Sequence, residues 1–264
     1  MKVVLFCGGL GTRLGELTDN IPKPLVKIGY RPILWNLMKY YAHYGHKEFI
    51  LCLGYRADKV KDYFLTYNEY VSNDFTMMDG GRRMELHKTE TDISDWKITF
   101  VDTGLRANVG QRLRLIQPYL EGDDVFLANY SDGLTDLPLP VLIDAHRASG
   151  KIACCLCARP PASFHVVQFK GDSNVISDIV HVSQTSTLIN AGFFVLRKEL
   201  FDYMEPGEEL VEQPFQRLIA REELIGYQYD HYWCMDTFKE HQVLTDMHNS
   251  GNTPWEVWKR AEVC

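Results

Sequence analysis

The segment Val3-Val4-Leu5-Phe6-Cys7-Gly8-Gly9-Leu10-Gly11-Thr12-Arg13-Leu14, with Pro22-Lys23-Pro24 soon after, places a strand, a glycine turn and two cations in close succession. Val3 to Phe6 form an apolar run that reads as a buried first strand. Gly8, Gly9 and Gly11 then free the backbone to wrap an anion with its N–H groups. Arg13 offers a planar fork for phosphate oxygens, and Lys23 a compact point charge. Together they read as a triphosphate cradle. The turn matches neither the GxxxxGK[ST] loop nor the GxGxxG dinucleotide fingerprint. Glycines alone would serve a tight strand-to-helix turn, but such a turn needs no cation at both places.

From this start the chain alternates strands and helices. Residues 48–53, 97–102, 124–129 and 151–157 have the composition of strands. Residues 32–44 carry Ile33, Leu34, Leu37, Met38 and Tyr41 at helical spacing, and residues 57–65, 111–119 and 139–149 read as further helices. This rhythm predicts an α/β fold with a mostly parallel central sheet covered on both faces. From about residue 160 the pattern changes to short strand-like pieces (166–169, 175–179, 192–196, 224–229) with helices near 214–221 and 238–247. These complete the sheet and build a substrate face. The expected organisation is one domain over residues 1–264, with nucleotide binding in about 1–158 and acceptor binding in about 159–264. Ligands in such sheets sit beyond the carboxyl ends of the strands.

Composition narrows the function. The net charge of −7 argues against a nucleic-acid partner, while a local cation cluster still suits a small polyanion. No apolar run approaches the ~18–20 residues of a membrane span, and the start lacks a signal peptide's apolar stretch. A cytoplasmic protein is expected. Cys154, Cys155 and Cys157 form the one cysteine cluster, in a strand and without a second Cys/His pair at zinc spacing, so they read as small core residues. Residues 80–83, Gly-Gly-Arg-Arg, read as a hairpin turn with solvated charges. Tyr227, Tyr229, Tyr232 and Trp233 read as packing groups.

A second constellation follows the strand at 124–129, where Tyr130-Ser131-Asp132-Gly133 places an aspartate at a strand end. Asp236 lies far along the chain in Trp233-Cys234-Met235-Asp236-Thr237. Mg2+ takes one or two carboxylates together with phosphate oxygens and water, so these aspartates are natural ligands beside a triphosphate. An Asp-Gly pair is also an ordinary turn, and spacing alone does not bring the two aspartates together.

The segment from Leu5 to Arg13, with Pro22-Lys23-Pro24, resembles the signature of the sugar-1-phosphate nucleotidylyltransferases. Further segments resemble the glucose-1-phosphate cytidylyltransferase branch: Arg83-Met84-Glu85-Leu86-His87-Lys88 leading to Val101-Asp102-Thr103-Gly104, then Gln111-Arg112-Leu113, then Ile189-Asn190-Ala191-Gly192-Phe193-Phe194-Val195-Leu196. The ending Pro254-Trp255-Glu256-Val257-Trp258 is similar too, so the likeness spans nearly the whole chain. The resemblance implies a Rossmann-like three-layer sandwich. It implies Mg2+-dependent transfer of a cytidylyl group from CTP to a sugar 1-phosphate, with release of pyrophosphate. Carried over by position, Gly8, Gly9, Gly11, Thr12 and Arg13 would hold the triphosphate, and Lys23 would stabilise the transition state. Arg13 and Lys23 are thus the catalytic candidates. Thr103, Gly104, Arg112 and Ser131 would surround base and ribose, Asp132 and Asp236 would hold the metal, and Asn190 would face the acceptor. Relatives assemble, which implies a homo-oligomer.

The chemistry suits these residues independently. A sugar phosphate is already a nucleophile near neutral pH, its second pKa being about 6, so no general base is required. Positioning, cations and metal do the work of phosphoryl transfer.

The match fails in the acceptor half. Members of the family usually carry Glu-Lys-Pro there, whose groups bind the sugar and its phosphate; this chain has His181-Val182-Ser183-Gln184-Thr185. An Arg-Phe-Gly segment is replaced by Ser163-Phe164-His165. One explanation is a different phosphorylated acceptor, read by Ser163, His165, His181, Ser183 or Gln184, with Arg159 or Lys170 replacing the lost cation. The other is a divergent loop that still takes glucose 1-phosphate, with His165 and His181 purely structural. Transfer from UTP or another triphosphate, and a catalytically silent nucleotide-sensing homologue, are the alternative functions.

Overall fold

The computed structural model describes residues 1–87, 92–161 and 164–259. Lys88 and Ser163, named above, lie outside them. In chain order the strands and helices are β1 (Val3–Phe6), β2 (Lys27–Ile28), β3 (Arg31–Pro32), α1 (Ile33–His43), β4 (Glu48–Leu53), α2 (Ala57–Leu65), β5 (Phe75–Met78), β6 (Arg83–Leu86), β7 (Lys97–Asp102), α3 (Val109–Ile116) and β8 (Val125–Asn129). They continue with β9 (Gly133–Thr135), α4 (Leu139–Ser149), β10 (Ala153–Ala158), β11 (His165–Phe169), β12 (Ile176–His181), β13 (Ile189–Arg197), α5 (Gln213–Ala220), β14 (Leu224–Gln228), β15 (Tyr232–Cys234) and α6 (Phe238–Asn249).

Seven strands form the central sheet in the order β14-β10-β13-β8-β1-β4-β7. β13 runs antiparallel to both its neighbours, and the other pairings are parallel. The alternation along β1 explains its unbroken apolar sequence. Val3 and Leu5 face one core, with α1, α4 and α6, while Val4 and Phe6 face a second, with α3 and α5. A strand covered on both faces has no solvent side on which to place a polar residue. This is the expected three-layer α/β sandwich, and strands from before and after residue 158 share its sheet. Phe75–Met78 and Arg83–Leu86 pair antiparallel around the 79–82 turn, as the glycine pair at 80–81 suggested.

Two features were not legible. The strand pieces at 166–169 and 175–179 do not join the central sheet; they pair with each other as the separate β11–β12 ribbon. A second ribbon, β9 with β15, ties the turn after β8 to the segment before α6.

On the second core, α3 is fixed by close packing, since a Cβ on Gly110 would lie 2.2 Å from the Glu208 carbonyl. The Glu208 carboxylate accepts from Arg217 at 2.6 and 2.5 Å, and this bond brings its pKa down to about 2. A carboxylate depressed in the folded state stabilises above its unfolded pKa and loses that contribution as pH falls. Glu208→Gln therefore lowers the urea midpoint at pH 7, and its gap from the parent narrows as pH drops below about 5 toward 2. A gap independent of pH would show that the charge of Glu208 contributes nothing.

Candidate active site

The site begins where β1 ends. The Gly8 carbonyl accepts from Arg112 Nη2 at 3.1 Å, and Arg112 Nη1 donates to the Leu53 carbonyl at 3.0 Å and to the Thr103 hydroxyl at 2.6 Å. Arg112 is only 4% exposed, so a guanidinium from α3 ties together the loops after β1, β4 and β7. A Cβ on Gly8 would lie 2.0 Å from Arg112 Nη1, so a larger residue there has to displace the guanidinium. Gly11 has φ 66, in the region that favours glycine, and turns the chain so that a Cβ there would sit 3.0 Å from Lys23 Cβ. Gly9 differs: a Cβ would meet nothing within 4 Å.

The contrast makes a prediction. Gly8→Ala displaces Arg112 and destabilises the chain by about 1–3 kcal/mol, with a rise in KM for the nucleoside triphosphate. Gly9→Ala leaves stability unchanged. Urea melts of both variants check this, and equal stability would contradict the Arg112 clamp.

Lys23 opens a short 3-10 turn, Lys23–Leu25, between two prolines that fix its backbone. Asp132 follows the tight turn after β8, in which the Asn129 side chain accepts from the Ser131 N–H at 2.7 Å and Ser131 has φ 68. The β9–β15 ribbon then decides the geometry. Cys234 pairs with Gly133, and the Met235 N–H donates to the Asp132 carbonyl at 2.9 Å, which sets Asp236 beside Asp132. Asp236 is further held by Glu240 of the capping box that starts α6, which accepts from its N–H at 2.8 Å.

Lys23 Nζ donates to Asp132 Oδ2 at 2.7 Å and to Asp236 Oδ1 at 2.5 Å, and Arg13 Nη1 lies 3.2 Å from Asp236 Oδ2. Burial alone would lower the Lys23 pKa, but the two carboxylates outweigh it and hold the ammonium above its usual range. Burial pushes the Asp132 carboxyl up, and Lys23 partly offsets that. Two carboxylates thus converge on one cationic point at the edge of a cavity of about 720 Å³. Among the described residues no third His, Cys, Asp or Glu joins them. That donor set fits a cation that completes its shell with phosphate and water, as Mg2+ does.

The cavity is lined by Gly8, Gly9, Gly11, Thr12, Arg13, Lys23, Arg112, Ser131, Asp132 and Asp236, so the cradle residues and both aspartates share one space. Thr103 is not on it: its hydroxyl donates to the Leu53 carbonyl at 2.7 Å behind the wall. Gly104 is also off the lining; its N–H donates to Asp102 at 3.0 Å. Arg112 lines the cavity, but its guanidinium is engaged by protein acceptors. Asn190 reaches the cavity only through Tyr130, donating to its hydroxyl at 3.2 Å. His165 sits on the β11–β12 ribbon against the His181 ring, at 5.4 Å between centroids, and the Ser183 N–H donates to His181 Nδ1 at 3.2 Å. Neither His165 nor Ser183 lines this cavity. Arg159, one candidate for the missing acceptor cation, pairs with Asp230 at 3.2 Å and donates to the Ser183 carbonyl at 2.7 Å.

Sequence reasoning missed Leu105, Arg106, Ala107 and Tyr130, all on the cavity wall. The first three lie between Thr103-Gly104 and Arg112, so position alone was a signal for them.

A glycine loop at a strand end, two cations and two convergent carboxylates share one cavity with room for a nucleotide. Residues 2–237 match the nucleotidyl transferase family, and the chain belongs to it. It is 37% identical to the glucose-1-phosphate cytidylyltransferase of Salmonella typhimurium over 261 residues, covering 98% of this chain and 100% of that protein. It is also 37% identical to the probable glucose-1-phosphate cytidylyltransferase of Bacillus subtilis over 262 residues, with the same coverage of 98% and 100%. A solved UDP-glucose pyrophosphorylase complexed with UDP-glucose shares the fold, with a TM-score of 0.69 at 17% identity over 95% of this chain and 98% of that one.

Proposed function

We propose that this enzyme transfers a cytidylyl group from CTP to a sugar 1-phosphate and releases pyrophosphate. The observation that carries this reading is the convergence of Asp132, Asp236, Lys23 and Arg13 at the glycine-loop cavity, in a chain similar over its length to glucose-1-phosphate cytidylyltransferases. An acceptor phosphate oxygen attacks the α-phosphorus in line. The bond from that phosphorus to the β-phosphate oxygen breaks, and pyrophosphate departs with the electron pair.

The backbone of residues 8–11, with Thr12, cradles the triphosphate. Arg13 and Lys23 stabilise charge on the phosphates as the transition state forms. Asp132 and Asp236 would hold Mg2+, which would supply charge neutralisation beside the phosphates. Ser131 on the cavity wall serves the nucleoside side, and Thr103, Gly104 and Arg112 shape that side from behind. Asn190 with Tyr130 faces the acceptor. We read the chain as one catalytic unit, supported by the sheet that both halves share. A cytoplasmic setting and association of like chains belong to the same reading; no helix among the described residues is long and apolar enough to cross a membrane.

The family's Glu-Lys-Pro is replaced by His181-Val182-Ser183-Gln184-Thr185 and the glycine of its Arg-Phe-Gly by His165, and this favours a phosphorylated acceptor other than glucose 1-phosphate, with His165 and Ser183 reading it. Pyrophosphate release with Mg2+, crossing CTP, UTP, dTTP, ATP and GTP with glucose 1-phosphate and other phosphorylated acceptors, tests both levels. CTP-dependent release is expected. Release with UTP only would overturn the choice of base, and release with glucose 1-phosphate as the best acceptor would overturn the altered specificity.

A further inference from the structure

Four cations line the nucleotide cavity among the described residues: Arg13, Lys23, Arg106 and Arg112. Three of them are already engaged by the protein. Lys23 bridges Asp132 and Asp236, Arg13 meets Asp236, and Arg112 is held by two backbone carbonyls and the Thr103 hydroxyl. Arg106 is exposed and makes no hydrogen bond or ion pair with any described residue. Its loop is nonetheless anchored. Gly104, at φ 89, turns the chain before it, with its N–H bonded to Asp102. After it, Asn108 caps α3 by accepting from the Gln111 N–H at 2.8 Å.

The charge balance gives this residue a role. Two aspartates face Arg13 and Lys23, so those four charges cancel, and Arg112 is turned toward carbonyls. An arriving polyphosphate thus meets, in Arg106, the one cation on the wall whose donors no described protein group already occupies. We propose that Arg106 is the cation that captures the polyphosphate of the incoming nucleoside triphosphate. The inference rests on the reading of this cavity as a triphosphate site. A solvated guanidinium at the rim acts on encounter and affinity more than on the chemical step. It offers β- and γ-phosphate oxygens the forked donors that Lys23, fixed between two carboxylates, does not present.

The test measures equilibrium binding of CTP and of CMP, each with Mg2+ and no acceptor, to the parent chain and to Arg106→Ala and Arg106→Lys. Arg106 is exposed, so both variants keep the parent unfolding midpoint. Arg106→Ala is expected to weaken CTP about 10-fold or more, the size of a lost charge-assisted contact. CMP, which lacks the β- and γ-phosphates, weakens less than about 2-fold, and the salt dependence of CTP affinity falls. Arg106→Lys recovers most of the loss. In turnover, KM for CTP rises while kcat stays within about 2-fold. Unchanged CTP affinity in Arg106→Ala, with the parent binding CTP normally, would overturn this inference and leave the proposed function intact. Equal losses for CTP and CMP would also overturn it, because Arg106 would then be reading the nucleoside or α-phosphate. A parent chain that binds no nucleoside triphosphate would overturn both this inference and the function on which it rests.

Discussion

Asp132→Ala and Asp236→Ala each abolish turnover while the chain stays folded. Each carboxylate lies within 2.7 Å of Lys23 Nζ, and the β9–β15 ribbon holds the two side by side whether or not one side chain is truncated. Removing either leaves a single carboxylate, too few to fix the position of a divalent cation against the phosphates. The expected fall is at least about 100-fold, the scale of losing a group that stabilises developing charge. Stability changes less, because Lys23 keeps its other partner in each variant. Circular dichroism paired with pyrophosphate release, and Mn2+ binding followed by electron paramagnetic resonance, read fold, activity and metal separately. Both variants should lose metal affinity. Ordinary turnover by both would remove the aspartates from the mechanism.

Lys23→Ala lowers kcat more than about 10-fold and affects CTP binding less. The flanking prolines leave its backbone little freedom, so truncation removes the ammonium without moving the chain. Its effect on metal binding has the opposite sign to that of the aspartates. Lys23 sits between the two carboxylates, so its loss leaves them free to take a divalent cation, and Mn2+ affinity is expected to hold or rise. A Lys23→Ala chain that loses metal affinity as the aspartate variants do would make the lysine a structural strut. An unchanged kcat would take it out of the reaction.

The fold was legible because its signals are local. Val3 to Phe6 have apolar side chains on both faces of the sheet, and Ile33, Leu34, Leu37, Met38 and Tyr41 recur at helical spacing, so the run and the period identify buried strand and amphipathic helix. That Gly8 to Arg13 form one loop was legible for the same reason, since they are contiguous, and that loop lines the cavity. The pairing of Asp132 with Asp236 was not. It depends on two three-residue strands far apart in sequence, too short to leave a period, joined by close approach of Gly133 to the Tyr232 ring. Arg112 shows a different limit. Its sequence position suggests a ligand contact, whereas three protein acceptors engage its guanidinium, and a buried hydrogen-bond network has no sequence period. Arg106 lies between Gly104 and Arg112, and that position was its signal in the sequence; its exposed charge by itself resembles any surface arginine. On the acceptor side, His165 sits on a ribbon outside the central sheet and Ser183 in the turn that follows it, and nothing in their spacing fixes where that ribbon lies.

The proposed reaction is attack on the α-phosphorus of CTP within the residue 8–11 cavity, with Asp132 and Asp236 as the metal's ligands. Incubating the parent chain with CTP labelled at the α-phosphorus, Mg2+ and the acceptor panel tests it most directly. The account predicts that the label appears in a CDP-linked product, in step with unlabelled pyrophosphate, and that chelating the metal stops both. Label confined to CTP, or released as CMP or CDP not joined to any acceptor, would contradict it.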